Sequence, residues 1–358
     1  MTTSASACVV LLAAASIALP PFDPDSVLSH LAQTRAVAHP ERGEIVLYLA
    51  PVDLPAGTVH EGGHGHEHEP GHGEQPPVTL VELPADGSFY GFRAEVIDSL
   101  GRPLPAALLH HVNVIDPDNR ELFLPISRRV AAAGRETGDV ALPWMFFGIP
   151  FQRGQRFVVS AMLHNPLETS YHDARVRVVL QYTPARRPWP LFAGAPFQLD
   201  VAFPVGDKSF DLPPGRSERS YEASPAIAGT IVGIGGHLHD YGVSIELANA
   251  RTGEVIWRAE PQRDAAGRLK SIPIGRLYGL TRLGARVEPG ERYRVTVVYD
   301  NPTGSTLPDG GMGVVGGLFL PDDPDAWPRV NPNDPLYIKD LLHATRQPKD
   351  ATVAQSGH

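Results

Sequence analysis

At 358 residues the chain is too long for one ordinary core and suits two domains of roughly 100–200 residues each. Its 35 glycines and 36 prolines work against long helices and favour short strands joined by turns. A net charge of −9, with no run of Lys or Arg, excludes a nucleic-acid phosphate partner and a membrane-surface patch.

The apolar run from Cys8 to Leu19 is too short to span a bilayer and fits the hydrophobic region of a secretory signal over residues 1–20, although Met1 to Ala7 carries no Lys or Arg. Export to the periplasm or the extracellular space is therefore expected, with no stable membrane span once the signal is removed. Cys8 is the only cysteine and lies in this segment, so a processed chain would hold no disulfide and would depend on its β cores.

Residues 21–77 read as an N-terminal extension with one short helix between Ser26 and Ala38 and a clear strand from Glu44 to Ala50. The stretch 60–74 places His60, His64, His66, His68 and His72 among glycines and acids, which cannot pack a core. It is expected to form a mobile surface loop. Weak capture of divalent copper, zinc or nickel and a neutral polar insertion both account for it.

A first β-sandwich is expected over 78–205, with strands at Val78–Leu83, Tyr90–Ile97, Ala107–Ile115, Phe157–His164 and Arg175–Tyr182. The Pro-, Gly- and charge-rich segment Pro204–Ser220 suits a linker. A second sandwich over 206–321 follows, with strands at Thr230–His239, Val243–Asn249, Val255–Glu260, Arg292–Asp300 and Val314–Leu320. Residues 322–358 read as a polar tail with a terminal helix over Asp334–Ala344. The fold class is thus all-β, two tandem antiparallel β-sandwiches of jelly-roll type.

An internal echo supports two copies of one unit. Gly154, Arg156, Phe157 and the terminal His164-Asn165-Pro166 recur as Gly290, Arg292, Tyr293 and Asp300-Asn301-Pro302.

Each copy carries a histidine pair upstream of this echo. In the second, His237 and His239 form a His-x-His in an apolar strand flanked by Gly233, Gly235, Gly236 and Gly242, so both imidazoles would project from one face. A solvated strand face is the alternative to a metal site there. In the first, His110 and His111 are adjacent, so joint ligation needs a twist or bulge; otherwise one of them is a buried histidine bonded to a backbone carbonyl. His164 ends the Phe157 strand and completes a three-histidine set suited to copper or zinc, with His172 as its substitute. Met312, wrapped in Gly310, Gly311 and Gly313, offers a soft thioether that suits cuprous copper and does little for zinc, calcium or magnesium.

His-His, a strand-ending His, His-x-His and then Met, spread over two β domains, resembles the copper type II ascorbate-dependent monooxygenases across roughly residues 78–321. The resemblance implies two coppers per chain, one on each sandwich and facing a cleft. His110, His111 and His164 would hold the electron-transfer copper, and His237, His239 and Met312 the catalytic, oxygen-activating one. It implies hydroxylation of a C–H bond of a small organic substrate with O2 and ascorbate or another one-electron donor. Peptide-hydroxylating members carry an Arg two residues before the His-x-His, and Asn and Tyr two and four residues after the Met. Here those positions are Gly235, Val314 and Gly316, so a peptide carboxylate is not the expected substrate.

Three other readings stay open on sequence alone. A non-enzymatic exported copper-binding or delivery protein would use the same ligands. A cupin-type iron or manganese oxygenase also uses His-x-His but wants a Glu shortly after it, whereas the next acid past Asp240 is Glu246. A metal-free structural protein is the third. Asp240 and Tyr241 fit either a pocket lining or a loop.

Overall fold

The computed structural model describes residues 21–57, 75–134, 140–185, 190–203, 208–264, 269–281 and 283–348. The expected signal segment 1–20 and the histidine-rich stretch 60–74 lie outside these described residues.

Period-two patterning builds both halves. In Tyr293–Asn301 the side chains of Tyr293, Val295, Val297 and Tyr299 are buried while Arg294 and Asp300 are exposed, as alternation on a half-buried strand requires. In the first sandwich one sheet orders its strands Ala32–Arg35, Thr79–Glu82, Arg156–Leu163, Leu109–Arg120 and Ser127–Gly134. A larger sheet centred on Gly87–Ile97 and Tyr171–Pro184 packs behind it, and Val112, Val114, Phe157, Val159, Val176 and Val178 fill the space between. In the second sandwich the sheet Ala195–Asp200, Gly313–Pro321, Gly229–Leu238, Gly275–Arg276 faces the sheet Gly215–Ala223, Tyr293–Asn301, Gly242–Asn249, Val255–Ala259. Ile234, Leu238, Val295, Val297, Val315 and Phe319 belong to its core. The chain is all-β, with mostly antiparallel pairing; Ala32–Arg35 runs parallel to Thr79–Glu82.

The sequence echo is a structural one. Gly154 and Gly290 both take positive φ, at 81° and 87°, where a side chain would be strained. Asn165, fully buried, donates through Nδ2 to the carbonyls of Leu54, Pro55 and Thr169 and accepts from the Leu167 N–H. Asn301 donates to Leu212, Pro213 and Ser305 and accepts from the Thr303 N–H. Each sandwich thus pins a Leu-Pro segment to the end of the equivalent strand with one buried amide.

Several expected boundaries move. The segment read as an extension supplies strands to the first sandwich: Glu44–Tyr48 and Val52–Leu54 both pair with Tyr171–Pro184. The expected helix is only Pro24–Ser29, capped by Asp23, because the chain beyond it is taken up in pairing with Thr79–Glu82. Ala195–Asp200 pairs with Gly313–Pro321 and so belongs to the second sandwich, ahead of the expected division at 205/206. Within the expected linker, Gly215–Ala223 is an edge strand on Tyr293–Asn301; its charges face solvent, as edges do. The terminal helix forms at Pro335–Ala344, capped by the Asp334 carboxylate on the Leu336 N–H at 2.8 Å.

The two sandwiches are docked by the hairpin that joins Leu109–Arg120 to Ser127–Gly134. Its tip residues Leu122, Phe123, Leu124 and Ile126 pack in the second sandwich's core. Glu121, fully buried there, accepts from the N–H groups of Leu122 at 2.7 Å, Arg129 at 3.1 Å and Gln198 at 3.1 Å. Burial pushes its carboxyl well above the usual range, against the pull of those three amides. Asp340 of the terminal helix closes the joint with two 2.6 Å hydrogen bonds from Arg129. This is the element whose strand also carries the first histidine pair.

Candidate metal centre

The strand Leu109–Arg120 is irregular where the histidines sit. Its neighbour Arg156–Leu163 pairs Met162 with His111 and the next residue, Leu163, with Leu109, so His110 is an extra residue in the ladder. This is the bulge that adjacent histidines need in order to work together. Nδ1 of His110 lies 2.8 Å from Nδ1 of His111, with the rings edge-on at 4.1 Å between centroids.

On Gly229–Leu238 the side chains of Ile234 and Leu238 enter the core, which turns Gly235 and His237 to the opposite face and carries His239 just past the strand end. Asp240 and Tyr241 form the turn. The Gly242 N–H bonds the His239 carbonyl at 3.2 Å, Tyr241 has φ 69°, and Asp240 accepts from the Leu269 N–H at 2.9 Å. Both residues therefore have a loop role.

The two pairs meet. Nε2 of His111 lies 3.2 Å from Nε2 of His237, and ring centroids are 5.0 Å apart for His111 and His237, 5.8 Å for His111 and His239, and 5.9 Å for His110 and His239. His110, His111 and His239 each offer a ring nitrogen within 4.8 Å of the others. All four rings are half-buried. The expectation of one separate site on each sandwich is not what the side chains do: the four imidazoles gather into one cluster between them. The docked hairpin explains it, since it brings the first histidine strand against the open face of the His-x-His strand.

Met312 stands at its edge, whereas His164 is not in the group of ring nitrogens that lie within 4.8 Å of one another. Gly313 pairs with Leu238, which puts Met312 next in the ladder, beside His239. The Tyr299 hydroxyl fastens that juxtaposition. It accepts from the His239 N–H at 3.0 Å and the Met312 N–H at 3.1 Å, and donates to the Met312 carbonyl. His164, half-buried, follows the last residue of Arg156–Leu163 and bonds the Leu108 carbonyl through its N–H at 3.0 Å. His172 points elsewhere: it is 78% exposed and 3.4 Å from Asp53 on the outer sheet. Tyr299 carries no motif signal. Its role follows only from the strand pairing.

The donor set fits a metal. Two imidazole nitrogens at about 2.0–2.1 Å from one ion stand about 2.9 Å apart in a square arrangement and about 3.3 Å apart in a tetrahedral one. Each spacing, 2.8 Å from His110 to Nδ1 of His111 and 3.2 Å from His237 to Nε2 of His111, matches one such edge, and because they use opposite nitrogens of His111 a single ion takes that ring together with one neighbour or the other. Imidazole and thioether donors, with no carboxylate in the set, suit copper over magnesium or calcium.

No protein-family model matches the chain, and no curated protein matches it. Among solved structures it is similar to PNGF-II, at 11% identity and a TM-score of 0.32, covering 76% of this chain and 65% of that one. A subviral particle of infectious bursal disease virus VP2 gives 14% identity and a TM-score of 0.24, covering 83% of this chain and 73% of that one. At these TM-scores neither likeness carries an argument about fold or function.

Proposed function

We propose that the chain is a copper-dependent monooxygenase that hydroxylates a C–H bond of a small organic substrate, using O2 and a reductant such as ascorbate. The observation that carries this reading is the 3.2 Å approach of His111 to His237, which joins the imidazoles of both sandwiches beside Met312. Copper bound there would supply one-electron chemistry toward O2. The chain's own residues set up that chemistry in two ways. The histidines and Met312 present soft and borderline donors that hold both oxidation states. Tyr299 fixes the backbone of two of those donors, so their geometry survives a change of charge.

Gly233 and Gly235, on the histidine face of their strand, leave room for substrate. A Cβ at Gly233 would meet nothing within 4 Å, and one at Gly235 only the Ile274 side chain at 3.8 Å. Gly235 stands opposite Gly316, while Arg276 is the cross-strand partner of Gly233 and shares its face, so the patch joins open backbone to one guanidinium that could hold an anionic group of the substrate.

The run of glycines on that face also favours the second reading, an exported protein that binds or delivers copper without turnover. Oxygen uptake with copper, ascorbate and a panel of small neutral and anionic substrates separates the two. Met312→Ala is expected to abolish turnover while histidine-bound copper stays, and Gly235→Leu to keep copper and lose turnover by blocking the patch. Ascorbate-dependent uptake without any substrate product, in wild type and both variants alike, would establish the delivery reading instead.

A further inference from the structure

Only four methionines occur in the chain, and two flank the histidine pairs, Met162 on a strand and Met312 between the strands Leu307–Gly311 and Gly313–Pro321. Met312 flanks the second pair. Met162 flanks the first: it is the direct cross-strand partner of His111 in the antiparallel ladder, so the two side chains share a face with Cβ atoms about 4.5–5.5 Å apart. That face is the outer one. Leu163 and Val159, at odd positions of the strand, are fully buried in the first core, whereas Met162 is 46% exposed and therefore fills no core. His164, two residues on, has the same parity.

We propose that Met162 supplies a thioether donor to the histidines of the first sandwich, so that each sandwich brings a histidine pair and a methionine to the centre. This rests on the copper reading above. Exposed strand positions normally carry polar or β-branched residues, and a methionine there gains little from burial. Beside His111 its flexible, polarisable side chain is placed to swing onto an ion held by the imidazole and to favour cuprous over cupric copper. The bulge at His110 adds to this by turning both imidazoles of that strand toward the same side.

The test is anaerobic competition for Cu(I) against a chromophoric chelator, together with X-ray absorption at the copper edge, on the wild-type chain, Met162→Leu, Met312→Leu and the double variant. Met162→Leu keeps volume at an exposed site, so folding is unaffected, and far-UV circular dichroism checks this. Expected is a fall of about tenfold or more in Cu(I) affinity for Met162→Leu, with Zn(II) affinity unchanged. Sulfur scattering should weaken in each single variant and vanish in the double. If wild type binds copper and Met162→Leu changes neither Cu(I) affinity nor sulfur scattering, Met162 is no ligand while the copper reading stands. If wild type takes up no copper, both fall together.

Discussion

A single phenolic oxygen organises the second donor strand. Tyr299 is fully buried, and desolvation pushes its pKa up, so the hydroxyl keeps its proton and its three backbone bonds at any physiological pH. Tyr299→Phe would leave two amides and a carbonyl beside the centre without that partner, at a cost of about 1–3 kcal/mol. Urea unfolding is expected to show that loss, and Cu(I) competition a weaker site; an unchanged site in a destabilised chain would make Tyr299 structural only. Much of this scale was legible in the sequence. The alternation rule put His237 and His239 on one face, and the demand for a bulge at His110-His111 followed from their adjacency. That all four imidazoles share one place was not legible, because it depends on how two sheets dock and not on any local pattern. Tyr299 was hidden for a similar reason: its inward position marks it as core, and only the register reveals which backbones it reaches.

Among elements, the repeated corner is the clearest unit. Asn165 and Asn301 each satisfy two carbonyls of a Leu-Pro segment and one carbonyl four residues on. Asn165→Ala and Asn301→Ala should each destabilise by about 1–3 kcal/mol in denaturant titrations, through buried acceptors left unbonded. Markedly unequal losses would contradict equivalent corners. The glycine-aromatic-Asn-Pro echo announced these corners, because turn chemistry is local. Edge strands were harder. Gly215–Ala223 has the composition of a linker because it buries little, and the strands before residue 55 are short pieces whose partners lie far along the chain. Their pairing is a tertiary decision that overrides propensity.

For the molecule as a whole, everything turns on the joint between sandwiches. It is built from buried charge: Arg129 with Asp340 at 2.6 Å, Glu121 on three amides, and Lys208 3.7 Å from Asp200. Burial, with Arg129 nearby, pulls Lys208 down to about 8, and the facing Asp200 and Asp340 only partly oppose this. The unfolded lysine titrates near 10.5, so between pH 8 and 10.5 the unfolded chain holds the extra proton. Stability should therefore rise with pH across that window, and Lys208→Met should flatten the rise in thermal denaturation. An equal slope in the variant would place the titration elsewhere.

Because this joint sets the distance between the histidine strands, copper should report on both sandwiches at once. The decisive measurement is the copper content and Cu(II) electron paramagnetic resonance spectrum of a chain in which His60, His64, His66, His68 and His72 are serines. His111→Ala and His239→Ala, one from each sandwich, would be compared with it. A shared centre requires that both variants lose copper and alter the same signal. Copper retained in both with an unchanged spectrum, or one independent signal deleted by each variant while the other persists intact, would contradict it.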